Sequence, residues 1–184
     1  DAQESRGLGD VYKRQPQTLC ADRVNKLSPE AKKGDGDPLD ICVITERPIN
    51  RSEVILKARV IGGIQMVDRD EADDKIIAVL DNDEFWKKVK DISDMSPALL
   101  ERLKHYFETY KLSPGHERDV KITEIYGRKH ARKVIEASID DYKESFAALR
   151  RARSFEKTER QAIKWLSYAE DMRKQYEWQQ AFRG

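Results

Sequence analysis

Short apolar runs broken by charged turns fill the first half of the chain, and helical stripes fill the second. Residues Leu39 to Thr45 are near-continuously apolar, which predicts a strand buried on both faces. Val24 to Lys33, ahead of it, reads as a polar connection. Arg47-Pro48-Ile49-Asn50-Arg51 is a turn signal, and Val54 to Ile61 a second strand. Gly62-Gly63 permits a bulge or sharp bend before the strand resumes at Ile64, as the corner of a barrel requires. Lys75 to Leu80 predicts another strand.

Helical spacing takes over after residue 94. Ser96 offers a cap and Pro97 sits at the first helical position. Leu99, Leu100, Leu103, Phe107 and Tyr110 then recur on one face until Ser113-Pro114-Gly115-His116 stops the helix. Val120 to Tyr126 alternates, with Val120, Ile122 and Ile125 inward, as a last strand would. Ile135, Ile139, Tyr142, Phe146 and Leu149 form a stripe on a long helix, and Ala162, Trp165, Leu166, Ala169, Met172 and Tyr176 another on a C-terminal helix. The fold class expected is α+β: a small OB-like closed β-barrel flanked by α-helices, with an extra C-terminal helix. One domain over residues 16–150 and a helical extension over 151–184 follow from this pattern.

Composition narrows the function classes. The 184 residues suffice for one domain with a core. Charged residues make up 38% but nearly cancel to a net +1, so no global field draws in nucleic acid or membrane. Arg150-Arg151-Ala152-Arg153 is a local basic run, but Glu156, Glu159, Glu170, Asp171 and Glu177 make that face mixed and solvated. No apolar run approaches the ~20 residues that span a bilayer, and no signal peptide is visible. Two cysteines, Cys20 and Cys42, without metal-type spacing suit a reducing, cytoplasmic setting, with Cys42 packing in a strand. The histidines His105, His116 and His130 are dispersed, and they, like Trp86, Trp165 and Trp178, read as packing or surface residues.

The chemistry concentrates in two acidic groups. Asp35-Gly36-Asp37-Pro38-Leu39-Asp40 places three carboxylates in six residues before a strand, on a turn that Pro38 stiffens and Gly36 loosens. Oxygens packed this closely repel one another unless a cation sits among them, and hard divalent ions favour such a donor set. A merely solvated turn is the bland alternative. A calcium EF-hand loop starting at Asp35 fails, because its sixth position would be Asp40 where glycine is needed and its fifth Leu39 where a ligand is needed. A phosphoaspartate-type site fails too, because the approach Pro29-Glu30-Ala31-Lys32-Lys33-Gly34 is polar. The second group, Asp68-Arg69-Asp70-Glu71-Ala72-Asp73-Asp74-Lys75, lies between apolar strands and closes on a lysine. Two acidic strand ends together suggest several metals and a phosphorylated ligand.

These elements resemble the soluble, Mg²⁺-dependent, single-domain (family I) inorganic pyrophosphatases. The matching signature is Asp-x-Asp-Pro-x-Asp before a strand, here Asp35, Asp37, Pro38 and Asp40; the second element is Asp68, Asp73 and Lys75. Pro16-Gln17-Thr18-Leu19, Gly62-Gly63-Ile64-Gln65-Met66 and a late Tyr110-Lys111 pair support it, over roughly residues 16 to 150. The resemblance implies hydrolysis of inorganic pyrophosphate to two phosphates by a metal-bound hydroxide, with several Mg²⁺ ions per site. It places Asp35, Asp40 and Asp73 on two activating metals, Asp40 bridging, and Asp68 with Asp73 on a metal carried in with substrate. Asp37 would accept the proton of the nucleophilic water, while Lys75, Tyr110 and Lys111 would contact phosphate oxygens. Asp70, Glu71 and Asp74 receive no ligand role and are left as solvated or supporting groups. Homo-oligomers are common among such enzymes.

The chain's beginning departs from that pattern. Asp10-Val11-Tyr12-Lys13-Arg14-Gln15 is what GAT GTG TAT AAG AGA CAG encodes, a transposase end sequence used in building sequencing libraries. Residues 1–15 are therefore expected to be adaptor translation joined to an N-terminally truncated gene. The family's upstream Tyr, Glu, Lys and Arg groups cannot be placed here, and Tyr12 and Lys13 are not assigned to those roles. The competing expectation is a non-catalytic metal- or phosphate-binding module, since part of the expected phosphate clamp is missing.

Overall fold

The computed structural model describes residues 15–49, 54–112 and 120–181. The expected stop at Ser113-Pro114-Gly115-His116, the Asn50-Arg51 part of the turn, and Tyr12 and Lys13 lie outside the described residues, as do the side chains of Leu149, Ala162, Trp165, Ala169, Met172, Tyr176 and Trp178. The chain divides into two compact units, Asp1–Lys143 and Glu144–Gly184.

In the first unit the strands are β1 (Lys33–Gly34), β2 (Asp40–Ile44), β3 (Ala58–Asp68), β4 (Glu71–Ala72), β5 (Lys75–Leu80) and β6 (Val120–Gly127). A short helix α1 (Asp22–Asn25) overlaps the start of the Val24 to Lys33 stretch expected to be a plain connection. A 3₁₀ turn (Ile92–Asp94) leads into α2 (Pro97–Thr109), and α3 runs from Arg128 to Ala181. Pairing follows the order β1-β4-β3-β5-β2, with β6 on β3. β1 is parallel to β4 and β2 to β5, while β3 is antiparallel to β4, β5 and β6. The fold is thus α+β, a mixed sheet curled into a half-barrel; among the described residues the pairing path ends at β1 and β2 and is not a closed ring.

Strand β3 curls the sheet. It is one 11-residue strand running through Gly62-Gly63, with the expected bulge at Gly62, and it starts at Ala58, later than the Val54 that apolarity suggests. Its register slips between Val60 and Gly62 against β5, and between Gln65 and Met66 against β6, so the bend is made by bulges inside a continuous strand. The second slip also explains the irregular alternation of β6. Ile122 pairs with Met66, and Ile125 with Ile64, so the inward face changes phase between them.

Two apolar layers cover the sheet. Cys42, Ile44, Ile77 and Val79 pack with Leu103 and Phe107 of α2 and with Ile92 and Met95. On the other face Ile76 packs with Leu39, Val24, Tyr126, Ala131 and Val134. β2 and β5 read as unbroken apolar runs because both of their faces are covered. Each fully buried aliphatic or aromatic side chain here contributes roughly 1.5–3 kcal/mol.

Two expectations about the helices change. The long helix and the C-terminal helix are one element, since no glycine or proline interrupts residues 128–181. Its buried stripe is Ala131, Val134, Ser138 and Asp141, whereas Ile135, Ile139 and Tyr142 are half-buried. Small residues let the helix approach the sheet, and a buried carboxylate is invisible to a search for apolar periodicity. Trp86 packs against the first layer as expected. No helix among the described residues is long and apolar enough to cross a membrane.

Candidate active site

The first acidic turn is built by local hydrogen bonding. Gly36 has φ +76°, a conformation that side-chain-bearing residues rarely adopt. The Asp37 N–H donates to Asp35 Oδ1 at 2.9 Å, and the Gly36 N–H to the Cys20 carbonyl at 2.9 Å. Thr18, buried, donates through Oγ1 to the Gln15 carbonyl at 2.6 Å and accepts the Leu39 N–H at 3.0 Å. Pro16-Gln17-Thr18-Leu19 therefore braces the turn from behind. Asp40 then opens β2.

The second group is a tight hairpin. Asp68 ends β3, Arg69 and Asp70 take φ values of 49° and 68°, and Glu71 pairs back opposite Asp68. The Asp73 N–H reaches the Met66 carbonyl at 2.9 Å. Lys75 opens β5 in register with Asp40 on β2.

Lysines join the two groups. Lys75 Nζ, on a side chain only 3% exposed, donates to Asp40 Oδ2 at 2.6 Å and to Asp73 Oδ1. Lys111 Nζ donates to Asp68 Oδ2 and lies 3.3 Å from Asp73 Oδ2. Tyr110 caps α2, and the same ammonium sits 5.4 Å from its ring centroid. The ends of β2, β3, β5 and α2 thus bring Asp40, Asp68, Asp73, Lys75, Tyr110 and Lys111 together. Asp35 is close enough to register the charges of Asp73, Lys75 and Asp37. Asp37 itself is at the exposed rim.

Burial and charge compete throughout. Burial works against the Lys75 ammonium, but Asp73 and Asp40 outweigh it and hold its pKa above that of a free lysine. Lys111 is likewise raised, its desolvation overcome by Asp68 and Asp73. Burial pushes the Tyr110 hydroxyl up, opposed by Lys75 and Lys111. Burial also pushes the Asp35 carboxyl up to about 7; the Asp37 N–H opposes this and the Asp73 charge adds to it. As the side chains stand, no three His, Cys, Asp or Glu residues among the described residues gather into a metal-ligand group; Lys75 spans Asp40 and Asp73, and Lys111 spans Asp68 and Asp73. The donor set of Asp35, Asp40, Asp68 and Asp73 is all oxygen, and a hard divalent cation would relieve the penalty on Asp35, so the residues fit such an ion.

Asp74 was expected to be solvated or merely supporting. It is 2% exposed, and Tyr126 Oη donates to its Oδ2 at 2.8 Å. Burial lifts its carboxyl to about 6, partly offset by that hydroxyl and the Met66 N–H. Spacing gives no hint of it, since three neighbouring acids look alike in sequence. Asp70 and Glu71 do face solvent, paired with Lys32 at 2.6 Å and Lys33 at 2.7 Å. His130 packs on the Tyr126 ring.

Fold and site together define a class: an α+β domain whose strand ends hold carboxylates bridged by lysines, suited to a polyanion accompanied by cations. A family profile described as inorganic pyrophosphatase matches residues 12–143. The inorganic pyrophosphatase of Chlamydia caviae is 44% identical over 146 residues, covering 74% of this chain and 68% of that protein. Among solved structures, that of the Thermus thermophilus inorganic pyrophosphatase matches with TM-score 0.60 and 33% identity, covering 73% of this chain and 70% of that one. The Helicobacter pylori inorganic pyrophosphatase matches with TM-score 0.56 and 32% identity, covering 73% and 76%. The chain belongs to the inorganic pyrophosphatase family.

Proposed function

We propose that this chain hydrolyses inorganic pyrophosphate to two phosphates at the lysine-bridged carboxylate cluster. The observation that carries this is Lys75, buried between Asp40 and Asp73 at paired strand ends, in a chain of the inorganic pyrophosphatase family. The relatives matched are named as pyrophosphatases, so a non-catalytic binding module is not favoured.

Asp35, Asp40, Asp68 and Asp73 would hold divalent cations of the Mg²⁺ class, which their oxygen donors and the raised Asp35 pKa support. Bound there, such cations neutralise phosphate charge and acidify water. Lys75, Lys111 and Tyr110 orient pyrophosphate by donating to its oxygens, including those of the departing phosphate, where charge grows as the bridging bond breaks. Asp37, at the rim, holds the proton released by the attacking water. An oxygen–phosphorus bond forms to that water as the bridging oxygen–phosphorus bond breaks, and the departing phosphate keeps the electron pair.

We also propose that the half-barrel closes in the working enzyme, that copies associate, and that it acts in a reducing cytosol. Support comes from the two bulges in β3, the exposed Phe155, Ile163 and Leu166 on α3, and the free thiols Cys20 and Cys42.

Colorimetric phosphate release tests the activity. Mg²⁺-dependent release from pyrophosphate, abolished by chelation, is expected. Asp37→Asn should abolish turnover while sparing metal binding. Parent protein that releases no phosphate with Mg²⁺ overturns the proposed activity, and Asp37→Asn turning over at the parent rate overturns the role of Asp37.

A further inference from the structure

We propose that Tyr126 is a positioning residue of this site, acting through Asp74 to fix the orientation of Asp73 and Lys75. This rests on the function proposed above. Tyr126 sits on β6 opposite Gly63 of β3, and Gly63 in turn is opposite Ile76 of β5. The tyrosine ring lies across β3 at that glycine. A Cβ on Gly63 would fall 2.3 Å from Cε2 and 2.6 Å from Oη of Tyr126, so no larger residue leaves room for the ring. From there Oη reaches Asp74 Oδ2 at 2.8 Å. His130 of α3 backs the ring, with centroids 4.5 Å apart.

Geometry links this contact to the site. Successive side chains along an extended segment point to opposite faces. Asp73 and Lys75 share one face, where they pair with each other, and Asp74 takes the opposite face, where Tyr126 meets it. Twisting the segment about its axis therefore moves all three together. Tyr126 is 3% exposed and Asp74 2%. Among the described residues Asp74 Oδ1 has no hydrogen-bond partner, and the Tyr126 hydroxyl, with the Met66 N–H, holds the carboxylate inside. A buried carboxylate deprived of its donor turns towards water. That rotation would carry Asp73 away from Lys111, and Lys75 away from Asp40. A tyrosine needed for packing alone would not require its hydroxyl at this depth.

The test uses the full chain with Tyr126→Phe and Asp74→Asn. Three quantities are read: kcat and KM for pyrophosphate with Mg²⁺, the affinity for Mn²⁺ alone by calorimetry, and the melting midpoint. Measured well below its midpoint, Tyr126→Phe should lose roughly tenfold in kcat and in Mn²⁺ affinity, the usual scale for removing a group that orients ligands. KM should stay within about twofold. Asp74→Asn keeps an oxygen that accepts from the hydroxyl and should lose only about twofold.

Tyr126→Phe with a lowered midpoint but parental kcat and Mn²⁺ affinity overturns the proposal, because the contact would then be only structural. Asp74→Asn losing tenfold or more also overturns it, and this arm decides the matter if Tyr126→Phe does not fold. A parent without turnover sinks the activity alone, and the Mn²⁺ affinities of parent and Tyr126→Phe still decide the positioning role. A parent that neither turns over nor binds Mn²⁺ overturns both.

Discussion

Asp40 and Lys75 stand directly opposite one another in the parallel pair β2–β5, and Lys75 Nζ donates to Asp40 Oδ2 at 2.6 Å. Each residue opens its strand, so backbone register alone sets their meeting. The ammonium, 3% exposed, stays charged because Asp40 and Asp73 surround it. Lys75→Met leaves those carboxylates facing each other. Stability should fall by about 3–5 kcal/mol, the scale for breaking a buried pair. Pyrophosphate turnover should fall at least about a hundredfold. Added Mn²⁺ should raise the melting midpoint more in the variant than in the parent. Scanning fluorimetry with and without Mn²⁺ checks this; equal midpoints for variant and parent would refute it.

Much of this was legible in the sequence, for identifiable reasons. β5 was readable to the residue because both faces are apolar and charges bound it. Pro97 marked the start of α2, although Ser96 occupies the cap position without a side-chain cap bond. The candidate residues Asp40, Asp73, Lys75 and Lys111 come from spacing that matches a family, and the structure places their side chains beside one another. Periodicity could not see polar groups doing the work of packing. Asp141 and Ser138 lie in the buried face of α3, so the stripe was placed one residue away from its true position. β1 and β4 are two residues each and carry no pattern of their own. Tyr126 and Asp74 lie 52 residues apart and meet only through the register of β6 on β3.

The cysteines give a chemical probe of the core. Burial pushes the Cys42 thiol up to about 12, and burial, with Asp35 next in weight, pushes Cys20 up as well. The thiolate is the reactive form, so at pH 8 neither should react while the chain is folded. An aromatic disulfide reagent should label both promptly in denaturant and neither in buffer. Fast labelling of Cys42 in buffer would show that β2 opens far more readily than its packing implies.

Acid should weaken the join between the 3₁₀ turn and α3. The Arg128 N–H donates to Asp91 Oδ2 at 2.9 Å and the Ser93 N–H to Oδ1 at 3.2 Å. These bonds, the Arg128 one foremost, hold the Asp91 carboxyl below the usual range. Asp94 is lowered similarly by the Lys90 and Asp91 N–H groups. A carboxyl depressed in the folded state stabilises above its unfolded pKa, about 3.9, and that contribution is lost as pH falls through the folded value. Urea midpoints should decline between roughly pH 4 and pH 2, less steeply in Asp91→Asn. Identical slopes would mean that Asp91 contributes nothing to the acid transition.

Asp141 links helix α3 to the acidic turn through a cap supplied from outside α1. Ala21, at the α1 N-cap, has no side-chain acceptor. Asp141 Oδ2 instead accepts the Ala21, Arg23 and Val24 N–H groups at 3.1, 3.0 and 3.2 Å, and Oδ1 accepts from Arg23 Nη1 at 3.2 Å. Helix starts left without acceptors lose about 0.5–2 kcal/mol, and unpaired buried donors add to that. Asp141→Ala should therefore cost roughly 2–4 kcal/mol by urea unfolding. The effect should reach the site, because the Cys20 N–H donates to the Asp37 carbonyl at 2.8 Å and the Gly36 N–H to the Cys20 carbonyl at 2.9 Å. When α1 frays, those two bonds lose their anchor while the centre of β5 does not. Hydrogen exchange in Asp141→Ala should accelerate at the Cys20 and Gly36 amides beyond the change at Ile77. A uniform acceleration across all three would mean that Asp141 supports the fold as a whole and leaves the Asp35–Asp37 turn no more dependent on it than the rest.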